Sequence, residues 1–325
     1  MKKQIYSLMI VAGFSVLAFV VSCKKKDTTT TNPTLDAQVQ QHNTDANNYR
    51  SESDQADDDI NNNIGGSTRL GGRVSGIESS PLCGATIDTS LAISQKIITF
   101  NFDGVTSCFS PSRLRSGSIK VQLTTGTNWA DVGSVLTITY IHYKITYQAT
   151  NHTVEFNGVK TLTNINGNNW LGFLLSTNSL KYRERANAIQ VTFDGTQTAT
   201  WNSARLTQWD YLQANTNPLH VPYAYINFTA NGDTTVNGYG NTDTWGTNRY
   251  GQPFTLSYST PWTSNSYCGF WRPNSGTLTL HLNGNTYTLT LGVDTSGNPV
   301  SGTCGYGFKV TWSTTNANGS QVFSY

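Results

Sequence analysis

The chain has 325 residues, only 12% of them charged, and a formal net charge of +2. So small a net charge supplies no global field for nucleic acid, and the length suits one large domain or two modest ones. Thr, Asn, Ser and Gly, rather than apolar residues, make up the shortage of charge, a mixture that fits a polar β surface facing water.

Lys2 and Lys3 open the chain and residues 5–21 are predominantly apolar. That length is borderline between the apolar part of a signal peptide and a membrane span. The residues at the end of the run decide between them. Val20, Val21 and Ser22 lead into Cys23 in an arrangement similar to the bacterial lipobox, with Val20 and Ser22 as tolerated variants. Residues 1–22 therefore read as a lipoprotein signal peptide, and Cys23 as the lipid attachment site. The competing reading is an uncleaved anchor, or ordinary cleavage beside a chance Cys. Two or three acyl chains hold a protein stably where one holds it reversibly, at ~0.8 kcal/mol per buried methylene. Lys24, Lys25, Lys26 and Asp27 then look like the start of Bacteroidetes-type lipoproteins passed to the outer membrane. The expected location is the cell envelope, lipid-anchored in the outer membrane and either periplasmic or surface-exposed.

Residues 23–33 end in a low-complexity polar stretch and read as a flexible tether. In residues 34–65 the positions Leu35, Val39, His42, Ala46, Tyr49, Ser53, Ala56 and Ile60 recur at alternating spacings of four and three, one face of a helix. Thr34 is the expected N-cap and Gly65-Gly66 the stop. The seam carries His42 and Ser53, and Asp57, Asp58 and Asp59 crowd the C-terminal end, where negative charge is unfavourable. The alternative is a disordered acidic stalk. Between Lys24 and Gly65 there are four basic and eight acidic residues, and from Gly66 onward fifteen basic and eleven acidic. That imbalance favours the segment lying against the domain, although exposed charges are screened over ~8–10 Å.

From about residue 71 the period changes to two. Residues 96–102, 118–123, 135–140, 188–193, 223–228, 277–282 and 286–291 alternate or are rich in β-branched and aromatic residues. Asp103-Gly104, Asn157-Gly158, Asp194-Gly195, Asn231-Gly232 and Asn283-Gly284 read as turns. No crossover helix fits between most of these strands, so the pairing is expected to be antiparallel. The expected fold is all-β over residues 66–325, an antiparallel β-sandwich or long curled sheet. Two stretches, about 71–180 and 186–325, share a strand–Asp–Cys–Gly–strand order that duplication and chance explain equally well.

With Cys23 set aside, Cys83, Cys108, Cys268 and Cys304 remain, and an even number outside the cytosol suggests disulfides. Of three connectivities, Cys83–Cys108 and Cys268–Cys304 are favoured because each pair brackets one strand unit. Each would add ~3–4 kcal/mol in the chain-entropy model. The spacings lack the close pairs of zinc sites, and free buried thiols are the bland alternative.

No nucleophile elbow or nucleotide loop is present. His142, His152, His220 and His281 are scattered singly. Only Glu78, Glu155 and Glu184 follow Gly66, and Glu184, between Arg183 and Arg185, reads as ion-paired rather than as half of a glycosidase pair. Residues 231–243 read as a hairpin tip sooner than a calcium loop. No cofactor or metal is implied. The C-terminal half is rich in aromatics, and Trp245, Tyr250, Trp262 and Trp271 are candidates for stacking on sugars, set against a core of large rings and cross-strand pairs.

Residues 98–121, 152–164 (HTVEFNGVKTLTN) and 245–254 (WGTNRYGQPF), with Cys268 and Cys304, resemble a family of uncharacterised Bacteroidetes lipoproteins. Arg113, Arg115 and Gly117 match its R-x-R-x-G step. Phe102-Asp103-Gly104 departs from its F-G ending. The resemblance implies an all-β cell-envelope lipoprotein and carries no catalytic residue. The resulting expectation is a non-catalytic binding or structural module for glycan or envelope protein, with no nucleic-acid partner. The alternative is a surface polysaccharide hydrolase.

Overall fold

Among the described residues the period-two segments come together in one antiparallel sheet of fifteen strands, the all-β fold expected. The computed structural model describes residues 37–64, 82–108, 112–168, 179–212, 225–265, 267–269, 272–313 and 318–325. The signal peptide, Cys23, the tether, Thr34, Leu35, Glu78, His220 and Trp271 lie outside the described residues. One long helix, α1 (Ala37–Ile64), precedes the sheet, and a one-turn α2 (Ala92–Gln95) follows β1 (Ala85–Asp88). Strands β2 (Ile97–Cys108), β3 (Arg113–Thr125), β4 (Val135–Tyr147), β5 (Thr153–Asn164), β6 (Leu180–Phe193) and β7 (Gln197–Leu212) pair consecutively. The second half holds β8 (Tyr225–Gly232), β9 (Thr234–Val236), β10 (Tyr239–Thr247), β11 (Pro253–Asn265), β12 (Ser275–Leu282), β13 (Asn285–Val293), β14 (Gly307–Ser313) and β15 (Asn318–Ser324). β8 and β10 both pair with β7 and β11 over different stretches, so they occupy one track end to end, with β9 as a hairpin excursion between them.

The observed strands are longer than the alternation suggested because bulges reset its phase. In β6, Tyr182, Glu184 and Ala186 are buried, then Ile189, Val191 and Phe193: even positions give way to odd ones. The register slips at Ser116/Ser118, Tyr140/Tyr143, Asn157/Lys160 and Ala186/Ile189, a belt of irregularities crossing β3 to β6. Gly117 (φ 82°), His142 (φ 48°) and Ala188 (φ 53°) take left-handed conformations there. A Cβ on Gly117 would run into the His142 carbonyl. Asn157 Oδ1 accepts the His142 N–H (2.8 Å), and Asn202 Oδ1 accepts that of Ala188 (2.9 Å). Bulges bend and coil strands, so this belt curls the sheet. It also corrects three turn assignments: Asp103-Gly104 and Asn157-Gly158 sit at irregularities inside β2 and β5, and Asn231-Gly232 ends β8. Asp194-Gly195 and Asn283-Gly284, both at positive φ, do form tight turns.

α1 lies in the concave face. Val39, His42, Ala46, Tyr49, Ser53, Ala56 and Ile60, the seam, are all buried, and so are Asn43, Asp45, Arg50, Glu52, Asp54 and Asp57 on other faces. Arg50 reaches Asp243 on β10, while Glu52, two residues on, reaches Arg113 on β3. Those strands are five inter-strand steps apart, about 24 Å on a flat sheet. A helix is only about 10–12 Å across with its side chains, so the sheet must wrap around it. Helix and sheet form one compact unit, Asn32–Tyr325. Residues 34–65 thus include the inner layer of the domain, and the proposed boundary between halves at 180–186 falls inside β6. Among the described residues no helix is long and apolar enough to cross a membrane.

Both favoured disulfides are present. Cys83 is joined to Cys108 (Cα–Cα 5.9 Å) and Cys268 to Cys304 (5.4 Å).

Candidate functional site

Two kinds of surface meet α1. Over β3 to β10 the contact is ionic. Among the described residues, six direct ion pairs join α1 to the strands or to the turn after β10: Arg50–Asp243, Glu52–Arg113, Asp54–Arg205, Asp57–Lys160, Asp59–Arg115 and Asp45–Arg249. At the centre, Lys160 Nζ lies 2.5 Å from Asp57 and 3.7 Å from Glu184, and donates to Ser53 Oγ at 2.9 Å. Arg205 bonds both Asp54 and Glu184, and Ser203 also donates to Glu184. Three carboxylates share two cations here, all fully buried or nearly so. Burial pushes Asp57 up to about 7 against the pull of Lys160. Burial acts on Glu184 in the same sense, but Arg205 and Lys160 outweigh it and hold that carboxyl at about 2. Glu184 is ion-paired as expected, though not with its chain neighbours. Arg183 and Arg185 point to the other face and hold Asp233, each at 2.5 Å.

Over β11 to β14 the contact is apolar and incomplete. A small cleft separates α1 from the sheet, with a cavity volume of about 30 Å³, room for a water or two. Leu256, Leu280, Leu289, Leu291, Phe308 and Pro273 form the sheet wall. His42, Asn43, Ala46, Asn47 and Arg50 form the helix wall, and Trp262 lines the cleft too. Both ring nitrogens of His42, the Asn43 amide, Arg50 Nε and Trp262 Nε1 are buried without a hydrogen-bond partner in the protein. Buried polar groups are nearly always satisfied, each left bare costs ~1–3 kcal/mol, and a cavity of about 30 Å³ has the size for ordered water to serve them. His42 packs against Trp201 and Phe254 at 5.9 and 4.7 Å between centroids. Burial, aided by Arg50, lowers it to about 3, so the imidazole is neutral. Arg50 is neutralised by Asp243 and lies over the Tyr258 and Trp262 rings.

Of the candidate stacking residues, Trp271 lies outside the described residues and the other three differ in exposure. Trp262 is buried, edge-on to Phe228 and beside the Arg50 guanidinium, because its position in β11 faces the helix. Tyr250 is exposed on the turn after β10 and Trp245 is half-buried. Among the described histidines, His142 bonds Glu155 (2.8 Å), His152 bonds Asp194 (3.0 Å), and His281 stacks on Tyr239 (3.6 Å). No carboxylate lines the cleft, and no group of three or more potential metal ligands occurs among the described residues. Sequence reasoning missed Asn43, Arg50 and the leucine wall as parts of one cleft. His42 on the helix seam was the one visible signal.

No family model, curated protein or solved structure matches this chain.

Proposed function

We propose that this protein is a non-catalytic binding or structural module of the cell envelope, lipid-anchored through Cys23 to the outer membrane. The approach of Val20, Val21 and Ser22 to Cys23 carries this reading. The lipobox-like end of the apolar run supports the anchor.

One measurement tests the reading. Cys23→Ser should move the protein from the membrane to the soluble envelope fraction; retention on the membrane would refute the anchor.

A further inference from the structure

We infer that Lys160 and Asp57 condense into an intramolecular isopeptide bond, Nζ to Cγ, that ties α1 covalently to β5, with Glu184 as the base.

Three observations select this pair. The first is the nucleophile. Five of the six cations that pair across α1 are arginines, which stay protonated. Lys160 alone carries an amine that can be acylated. The second is the contact. The other five pairs are hydrogen-bonded. Lys160 Nζ comes within 2.5 Å of Asp57 Oδ1, yet neither Asp57 oxygen accepts a hydrogen bond, so the approach is close without that alignment. Reacting groups held together in this way reach effective molarities of ~10⁵–10⁸ M. The third is burial. Both side chains are fully buried, and the Tyr140 ring centre lies 5.7 Å from Nζ. A buried ion pair is costly to desolvate. Condensation replaces its two charges by one neutral amide and releases water.

The atoms balance without an oxidant or cofactor. The Lys160 ammonium first passes a proton to Asp57. Burial opposes that ammonium, but Asp57, Tyr140 and Glu184 outweigh it, so the proton leaves by transfer within the pair. Burial pushes the Asp57 carboxyl up to about 7, which brings its acid form within reach at neutral pH. The neutral amine then attacks Cγ. Glu184, 3.7 Å from Nζ and held by Arg205 and Ser203, takes one amine proton and returns it to the departing hydroxyl; such contacts tighten in the transition state. One C–N bond forms, one C–O bond breaks, one water leaves, and Glu184 ends as the carboxylate. Asp57 titrates only in the unlinked chain.

The test is tryptic peptide mapping of the folded full-length chain after reduction. Trypsin does not cut at an acylated lysine, so residues 51–69 should appear joined to residues 145–181, lighter than the two peptides by one water. Succinimide formation at Asp-Gly also removes one water, so the branch decides and not the mass alone. The branched peptide should be absent from Lys160→Arg and Asp57→Ala, and at least ten-fold scarcer in Glu184→Gln. Linear peptides 51–69 and 145–160 alone, from folded wild type, would overturn the inference even where the variants fail to fold. A branch through Glu184 would overturn the choice of Asp57 as the acyl partner. An undiminished branch in Glu184→Gln would overturn the role of Glu184 and leave the bond.

Discussion

The same helix meets its sheet in two ways, one ionic and one apolar. From Arg50 to Asp59, α1 faces β3 to β10, where each helix charge in five pairs finds an opposite charge on the sheet, although Glu52 Oε2, Asp54 Oδ2 and Arg205 Nε make no hydrogen bond there. From His42 to Arg50 it also faces β11 to β14, where leucines stand opposite polar groups with no partner. Buried ion pairs are poor sources of stability against apolar replacements but are costly to break singly. The ionic zone therefore holds the helix in register. The cleft leaves a gap of about 30 Å³ between helix and leucine wall.

The largest expected effect comes from removing the helix altogether. A chain lacking residues 37–64 strips Arg113 of Glu52 and leaves Lys160 and Arg205 only Glu184 between them, and should fail to give soluble folded protein in expression and circular dichroism. A soluble, cooperatively melting product would show that the sheet does not need its inner layer. Within the ionic zone, Lys160→Met leaves Asp57 and Glu184 buried without their shared cation, and should cost about 3–5 kcal/mol in denaturant unfolding. At the cleft, Asn43→Leu removes an unpartnered buried amide and should cost under ~1 kcal/mol, or add stability. Comparable losses from these two variants would erase the distinction between the zones.

The zones also differ in how they respond to pH. Unlinked, Asp57 is raised in the fold from 3.8 to about 7, so its contribution is complete below pH 3.8 and is lost as pH rises through 7. His42 is lowered from 6.5 to about 3. The unfolded chain takes up that proton first, so stability is full above pH 6.5 and falls as pH drops towards 3. Asp57→Asn should therefore flatten the decline between pH 5 and 8. His42→Phe should be more favourable, relative to wild type, at pH 5 than at pH 8. Both can be read from guanidinium unfolding at matched pH, and an effect of the same sign for the two residues would show that they share one environment.

The segments that carried the family resemblance turn out to hold the helix. Arg113 and Arg115 pair with Glu52 and Asp59, Gly117 lies on the bulge belt, Lys160 sits between Asp57 and Glu184, and Arg249 pairs with Asp45 at 2.6 and 2.7 Å. Their part in the fold was legible only as charge imbalance, because a lysine in a strand such as residues 153–164 carries no mark of the face it occupies. That face depends on how many bulges precede it, and a bulge at Ala188 or His142 has no glycine to announce it.

The amino-acid order by itself determined the β class, the antiparallel pairing, the helix seam and the joining of nearest cysteines, since all of these are set by local period and short loops. It did not determine that the acidic helix is the core, that Trp262 faces inward, or that His42, Asn43 and Trp262 converge on one cleft. Those depend on how far the sheet curls. Curvature accumulates over strands up to two hundred residues apart, and only the folded chain sums it.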